Sequence, residues 1–364
     1  MIKIISKSAE IGGKKLTLEV GRLAEQANAA VLARYGDTMV LATVVSAKPR
    51  EEIDYFPLYV EYVERLYAGG RIKGSRWVKR EGRPSDEAIL TARLIDRSIR
   101  PLFPKDYKNE VQVIVTVLSV DGENNPDILA IWATSAALAI SDIPWQGPVG
   151  VMRIGYVPKD GDGSFIINPT YQDLDYSIMD LIVSGQEEKT IMLEGEAQEV
   201  PEEILLKAIA AAQKETEQVV QLIKALAKET GKKKQVVKKK EINPQLVNDV
   251  TKDVAKQTDK ILAMMAKGKA GELIAEIKQA LAEKYDEEKK KDIGQIVDGL
   301  IKKKVREQII RKGKRIDGRK LDEIRPIEIE VGLLPRTHGS AMYKRGQTQV
   351  LTVTTLGSPS LEHF

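Results

Sequence analysis

"RPIEIEVGLLPRTHGSAMYKRGQTQVLTVTTLGS", residues 325–358, reads as strands broken by turn residues, and it echoes the beginning of the chain. "IEVGLL" at 329–334 resembles "LEVGRL" at 18–23, and "GQTQVLTVTT" at 346–355 resembles "GDTMVLATVV" at 36–45. The order is kept at a separation of roughly 310 positions, far too long for a solenoid repeat. That points to a duplicated domain, with only the first strands of copy two present. Such a bare hairpin is marginal in water. The expectation is therefore a fragment of a longer protein, or a chain whose partner supplies the rest.

Working outward, the first 150 residues alternate strand signals with a Gly/Arg-rich loop and two helices. "PSDEAILTARLIDRSIR" has Ser85 as N-cap, acidic residues in the first turn and Pro101 as a stop. "EVQVIVTVLSV" is a near-continuous apolar run, expected to be a strand buried on both faces. "NPDILAIWATSAALAISDIP" is a small-residue helix capped by Asn125, with Pro126 at its first position. Further strands follow, then a long amphipathic helix over 201–230. In 241–310 the strand signals vanish, and Ala, Lys, Glu, Ile and Leu recur at helical spacing.

Composition removes several kinds of chemistry. With 364 residues the chain can hold two or three domains. Cysteine is absent, so disulfides, thiolate metal sites and cysteine nucleophiles are excluded. His338 and His363 are the only histidines, which argues against an imidazole-centred site. No stretch reads as a signal peptide or membrane span, so the expected compartment is the cytoplasm. Neither a GxxxxGK[ST] loop nor a GxGxxG turn occurs. Asp121, Asp127 and Asp142 could gather only through the fold, and Asp127 is expected to serve the first turn of its helix.

Net charge is +4, and the basic residues crowd into 71–108, 231–240 and 301–315. The lysine run "GKKKQVVKKK" at 231–240 reads first as a solvated helix end or linker. The arginines are harder to dismiss. Each helical residue turns by about 100°, so Arg93, Arg97 and Arg100 share one stripe. Asp96 can pair with Arg100 one turn on but is badly placed for Arg97. Upstream lie Trp77, Lys79, Arg80 and Arg83, an aromatic face beside cations. Two readings stay open: a basic surface for phosphate, suited to single-stranded nucleic acid, or a structural salt-bridge network.

These stretches carry a resemblance. "KREGRPSDEAILTARLIDRSIRPLFPKDYKNEVQVIVTVLSVDGENNPDILAIWATSAALAISDIPWQGPVGVMRIGY" resembles the first core of bacterial polyribonucleotide nucleotidyltransferases, the polynucleotide phosphorylases. "KRIDGRKLDEIRPIEIEVGLLPRTHGSAMYKRGQTQVLTVTTLG" resembles the start of their second core. The resemblance implies an α+β fold: an RNase PH-like core domain (1–230), an all-helical domain with basic linkers (231–310) and the first strands of a second RNase PH-like domain (311–364). It implies a ring-shaped homotrimer, without a membrane, that threads single-stranded RNA and can join an RNA-degradation complex. The implied activity is 3′→5′ phosphorolysis with inorganic phosphate and magnesium.

The catalytic and metal ligands are expected beyond Phe364, so none is assigned within the chain. Carried over by position are RNA contacts: Trp77, Lys79 and Arg80 in a channel loop, and Arg93, Arg97 and Arg100 facing the RNA path. Arg83 joins them from the bottom-up reading. Val78 departs from the family's second aromatic. The alternative is a catalytically silent RNA-binding ring subunit of an exosome-like assembly. A scaffold that binds no RNA sits poorly with the arginine stripe, and a sheet-surface RNA reader with aromatics at 5%.

Overall fold

The computed structural model describes residues 4–49, 55–72, 82–159, 163–187, 189–237, 242–285 and 289–358. It divides into two compact units, 1–239 and 240–364.

The first unit runs β1 (Ile5–Ile11), β2 (Lys14–Val20), β3 (Ala29–Tyr35), β4 (Thr38–Ala47), β5 (Leu58–Val63), α1 (Asp86–Ile99), β6 (Glu110–Ser119) and α2 (Pro126–Ile140). It continues with β7 (Gly150–Val157), β8 (Ser164–Ile167), the short α3 (Tyr171–Asp175), β9 (Met179–Gln186), β10 (Lys189–Ala197) and α4 (Glu202–Thr230). A six-stranded sheet has the order β1-β2-β3-β4-β6-β5, and a four-stranded sheet the order β10-β9-β7-β8. All pairings are antiparallel except β5 with β6.

α2 is apolar all round and buried at every position but Ala139. A helix without a polar face must be covered on all sides. Here it lies between the sheets, against β3 and β4 on one side and β7 on the other, beside α4. Trp132 anchors it: the ring meets Tyr35 edge-on at 5.4 Å, and Nε1 donates to the Val151 carbonyl at 2.8 Å. Truncating such a side chain costs about 3–5 kcal/mol. β6 departs from expectation. Val111, Val113, Val115 and Val117 are buried while Gln112 is exposed and Ile114 and Thr116 half-buried, so only one face meets the helical layer.

The lysine run is solvated only in part: Lys232 and Lys233 are exposed, Lys234 is half-buried, and residues 238–240 lie outside the described residues. Residues 231–237 lie along the first unit, with Lys232 N bonded to Ile140 O and Gln235 N to Asp142 O, both at 2.8 Å. Lys234 Nζ donates to Leu138 O and Ser141 O at 2.7 Å each, closing carbonyls at the C-terminal end of α2. An orphaned helix end, not solvent, is what this lysine meets.

The second unit begins with α5 (Pro244–Ala255), α6 (Thr258–Ala266), α7 (Ala270–Tyr285) and α8 (Lys290–Lys312). They share a small core that includes Val250, Val254, Ile277, Leu281, Ile293 and Val297. β11 (Ile327–Val331), β12 (Gly339–Arg345) and β13 (Thr348–Thr354) then form a three-stranded meander. Its pairing repeats that of β2-β3-β4 residue for residue. Leu18 faces Ala33 as Ile329 faces Tyr343, and Tyr35 faces Thr38 as Arg345 faces Thr348. Gly36 and Gly346 make the equivalent turns at φ 63° and 65°, where other residues are strained. The first copy is covered by α2, whereas Ile329, Val331 and Val353 of the second remain at least half exposed.

Candidate nucleic-acid interface

α1 starts where Ser85 Oγ accepts from Ala88 N at 3.0 Å, and Asp86 and Glu87 favour its positive end. It ends in a 3-10 turn at Arg100–Leu102, because Pro101 has no N–H to continue the ladder. The buried face of Ala88, Leu94, Ile95, Ser98 and Ile99 lies inward. α1 packs on β5, an edge of the larger sheet, and touches β10, an edge of the smaller. The arginine stripe therefore runs along a seam between two sheet edges.

The three arginines part company there. Arg100 grips Asp96 with Nε at 2.6 Å and with Nη2, and Nη2 also reaches Leu58 O at 3.1 Å. The Asp96 pair is the one helical spacing announces. Arg97 donates to Glu194 and, at 3.2 Å, to Leu193 O, both on β10. That corrects the inference that Arg97 lacks an acidic partner; the partner arrives from another sheet, beyond the reach of local spacing. Arg93 is exposed and makes no hydrogen bond or ion pair among the described residues, and neither does Arg83. Trp77, Val78, Lys79 and Arg80 lie outside the described residues.

The three aspartates do not gather. Asp121 organises the turn into α2, accepting from Glu123 N and Asn124 N at 2.9 and 2.8 Å and from Asp37 N at 3.1 Å. Burial would raise its carboxyl, but these donors hold it well below the usual carboxylate range. Asp142 accepts from Asn28 and Gln235, each at 2.8 Å. Asp127 is buried, accepts from Ile128 N and pairs with Arg153 at 3.1 Å, so it does more than cap its helix. Burial pushes its carboxyl up despite Arg153, which is itself held by Asp180 at 2.8 Å.

A cavity of about 350 Å³ opens at this end of α2, with Glu64, Glu87, Asp127 and Glu194 on its walls against Arg153. The N-terminus of a helix attracts anions. This one already carries the Asp127 carboxylate, and the surrounding acids oppose a second negative group.

Models of known families match in three stretches. The 3′ exoribonuclease family, domain 1, matches residues 12–144 and again 323–363, the two segments that hold the repeated meander. Domain 2 of that family matches 147–215, and the model described as "Polyribonucleotide nucleotidyltransferase, RNA binding domain" matches 245–320. A polyribonucleotide nucleotidyltransferase of Caldicellulosiruptor saccharolyticus is 48% identical over 98% of this chain. Those of Thermomicrobium roseum and Heliobacterium modesticaldum are also 48% identical, over 99% and 96% of it.

The chain belongs to the polyribonucleotide nucleotidyltransferase family.

It spans about half the length of these relatives: 50%, 47% and 49%. Among solved structures, rice Rrp46 gives a TM-score of 0.46 at 16% identity over 62% of this chain and 94% of that one, a likeness too slight to carry weight. Along the chain, the strands and helices of the first unit precede the helical stretch matched by the RNA binding domain model. No described helix is long and apolar enough to cross a membrane.

Proposed function

We propose that this chain is the RNA-handling and assembly portion of a phosphorolytic 3′→5′ exoribonuclease, acting in RNA turnover in the cytoplasm as a homotrimer. Inorganic phosphate attacks the terminal phosphorus of a single strand. The 3′ oxygen of the penultimate nucleotide leaves as the new end, and a nucleoside diphosphate departs. The observation that carries the reading is the match to polyribonucleotide nucleotidyltransferases along nearly the whole chain. Arg93, cationic and without a partner among the described residues, supports a phosphate path along α1. Magnesium would assist the phosphorolysis.

The acidic cavity at α2 favours the same division of labour, because it opposes the co-substrate phosphate. It would equally suit a catalytically silent ring subunit. Incubation of the chain with single-stranded RNA, phosphate and magnesium tests the reading. RNA should bind without release of nucleoside diphosphates. Release in proportion to chain concentration, in preparations free of other nucleases, would overturn it.

A further inference from the structure

A groove of about 460 Å³ separates β5 from α1, on the side of the helix away from the acidic cavity. Its walls are mostly apolar, with Pro84, Ile89 and Ala92 among them, and Ile89 is 48% exposed. Three side chains on it have unspent chemistry. Tyr59 is 55% exposed, and its hydroxyl makes no hydrogen bond among the described residues. Among the described residues Arg93 holds no anion, and Glu61 holds no cation, nor do the two pair with each other. The other charges on the rim are engaged: Asp96 by Arg100, and Arg97 by Glu194.

An aromatic face, a free guanidinium and a free carboxylate around an apolar slot match the three parts of a nucleotide. A base stacks on an aromatic ring at about 1–3 kcal/mol. A guanidinium fork fits phosphate. A carboxylate accepts from the N–H donors of a Watson–Crick edge, and guanine alone presents two such donors, N1–H and N2–H, side by side. The volume lies within the roughly 300–1,000 Å³ of small-ligand sites. A peptide strand added to the β5 edge fits less well, because Arg100 already occupies the Leu58 carbonyl there.

We propose that this groove is a subsite for one unpaired RNA nucleotide, with Tyr59 stacking on the base, Glu61 reading its donor edge and Arg93 holding its phosphate. The proposal rests on the RNA-path reading above and adds to it a preference for guanine.

The test compares a twelve-residue oligouridylate with the same strand carrying one internal guanine, by fluorescence anisotropy on the full chain at fixed salt. The guanine strand should bind severalfold tighter. Tyr59→Ala should weaken both strands about five- to a hundredfold, and Tyr59→Phe should not. Glu61→Gln should abolish the guanine preference while leaving oligouridylate binding in place. Should Tyr59→Ala melt early, the Glu61→Gln comparison decides alone. If the chain binds RNA and all three variants match it, the subsite is wrong, the RNA path survives and the groove is left to a protein partner. If the unmodified chain binds neither strand, the RNA-path reading fails and the subsite with it.

Discussion

Arg97 on α1 is tied to Glu194 on β10, while Arg93, one turn earlier on the same stripe, holds no acidic partner among the described residues. The two arginines should therefore answer differently to loss of charge. Arg93→Gln removes a cation free to meet a phosphate. The slope of log affinity against log salt should fall by roughly 0.7 for a single strand, alike across sequences because phosphates carry no base information. Its melting temperature should hold. Arg97→Gln releases Glu194 instead. The pair is about half exposed, so its loss should cost no more than about 1 kcal/mol, with a smaller change in salt slope. The reverse pattern in titrations and melts would make Arg93 the structural member.

Arg153 sits between two carboxylates, 3.1 Å from Asp127 and 2.8 Å from Asp180, half-buried on the wall of the acidic cavity. Arg153→Met would leave buried charge uncompensated and should destabilise by about 3–5 kcal/mol at neutral pH. The sign with pH follows from Asp127. Its carboxyl is already raised by burial, so stability falls as pH rises between its unfolded and folded values. Loss of the arginine extends that window upward. The deficit should shrink on going from pH 7 to about pH 5, measured by urea midpoints. A deficit independent of pH would mean that the arginine does not alter the protonation of Asp127 over that range.

Much of this was legible in the chain itself, and what was not has a common cause. Ser85 and Asn125 cap their helices where the sequence places them, because a cap is a local device read within three residues. The repeat was legible because turn glycines at 36 and 346 pin the register of each meander. The Arg97–Glu194 pair joins residues 97 positions apart and the Lys234 clasp on α2 residues 96 and 93 apart, and no spacing rule reaches that far. Which arginine of the stripe stays free was decided by two sheet edges, not by the helix. Burial of β6 on one face alone likewise depends on which side the helical layer occupies.

Asp121 gives an acid-side prediction. Its carboxylate gathers backbone donors from Asp37, Glu123 and Asn124, which lower its pKa despite burial. A carboxyl depressed on folding stabilises above its unfolded value, and that contribution disappears as pH falls through the folded one. Asp121→Asn keeps the shape but not the charge. It should cost about 1–2 kcal/mol at pH 7, somewhat less for the part of the group that solvent screens. The two proteins should converge toward acid pH in thermal melts. A gap that persists at low pH would assign the loss to geometry instead of charge.

Lys234 offers the last test, of the strap over 231–237. Its ammonium donates to Leu138 O and Ser141 O at the end of α2, and burial brings its pKa down to about 8 against the pull of Asp142. Lys234→Met keeps the stem but leaves both carbonyls without this donor. Charge-assisted bonds of this kind are worth about 1.5–3 kcal/mol, so the variant should lose stability on that order near pH 7. Amide exchange should rise in the last turn of α2 and in 231–237, while β1 to β4 stay protected. Lys234→Arg has donors to spare but a broader head, and should restore only part of the loss. If Lys234→Met instead melts as the parent does and exchange is unchanged, the backbone bonds of Lys232 and Gln235 hold the strap by themselves.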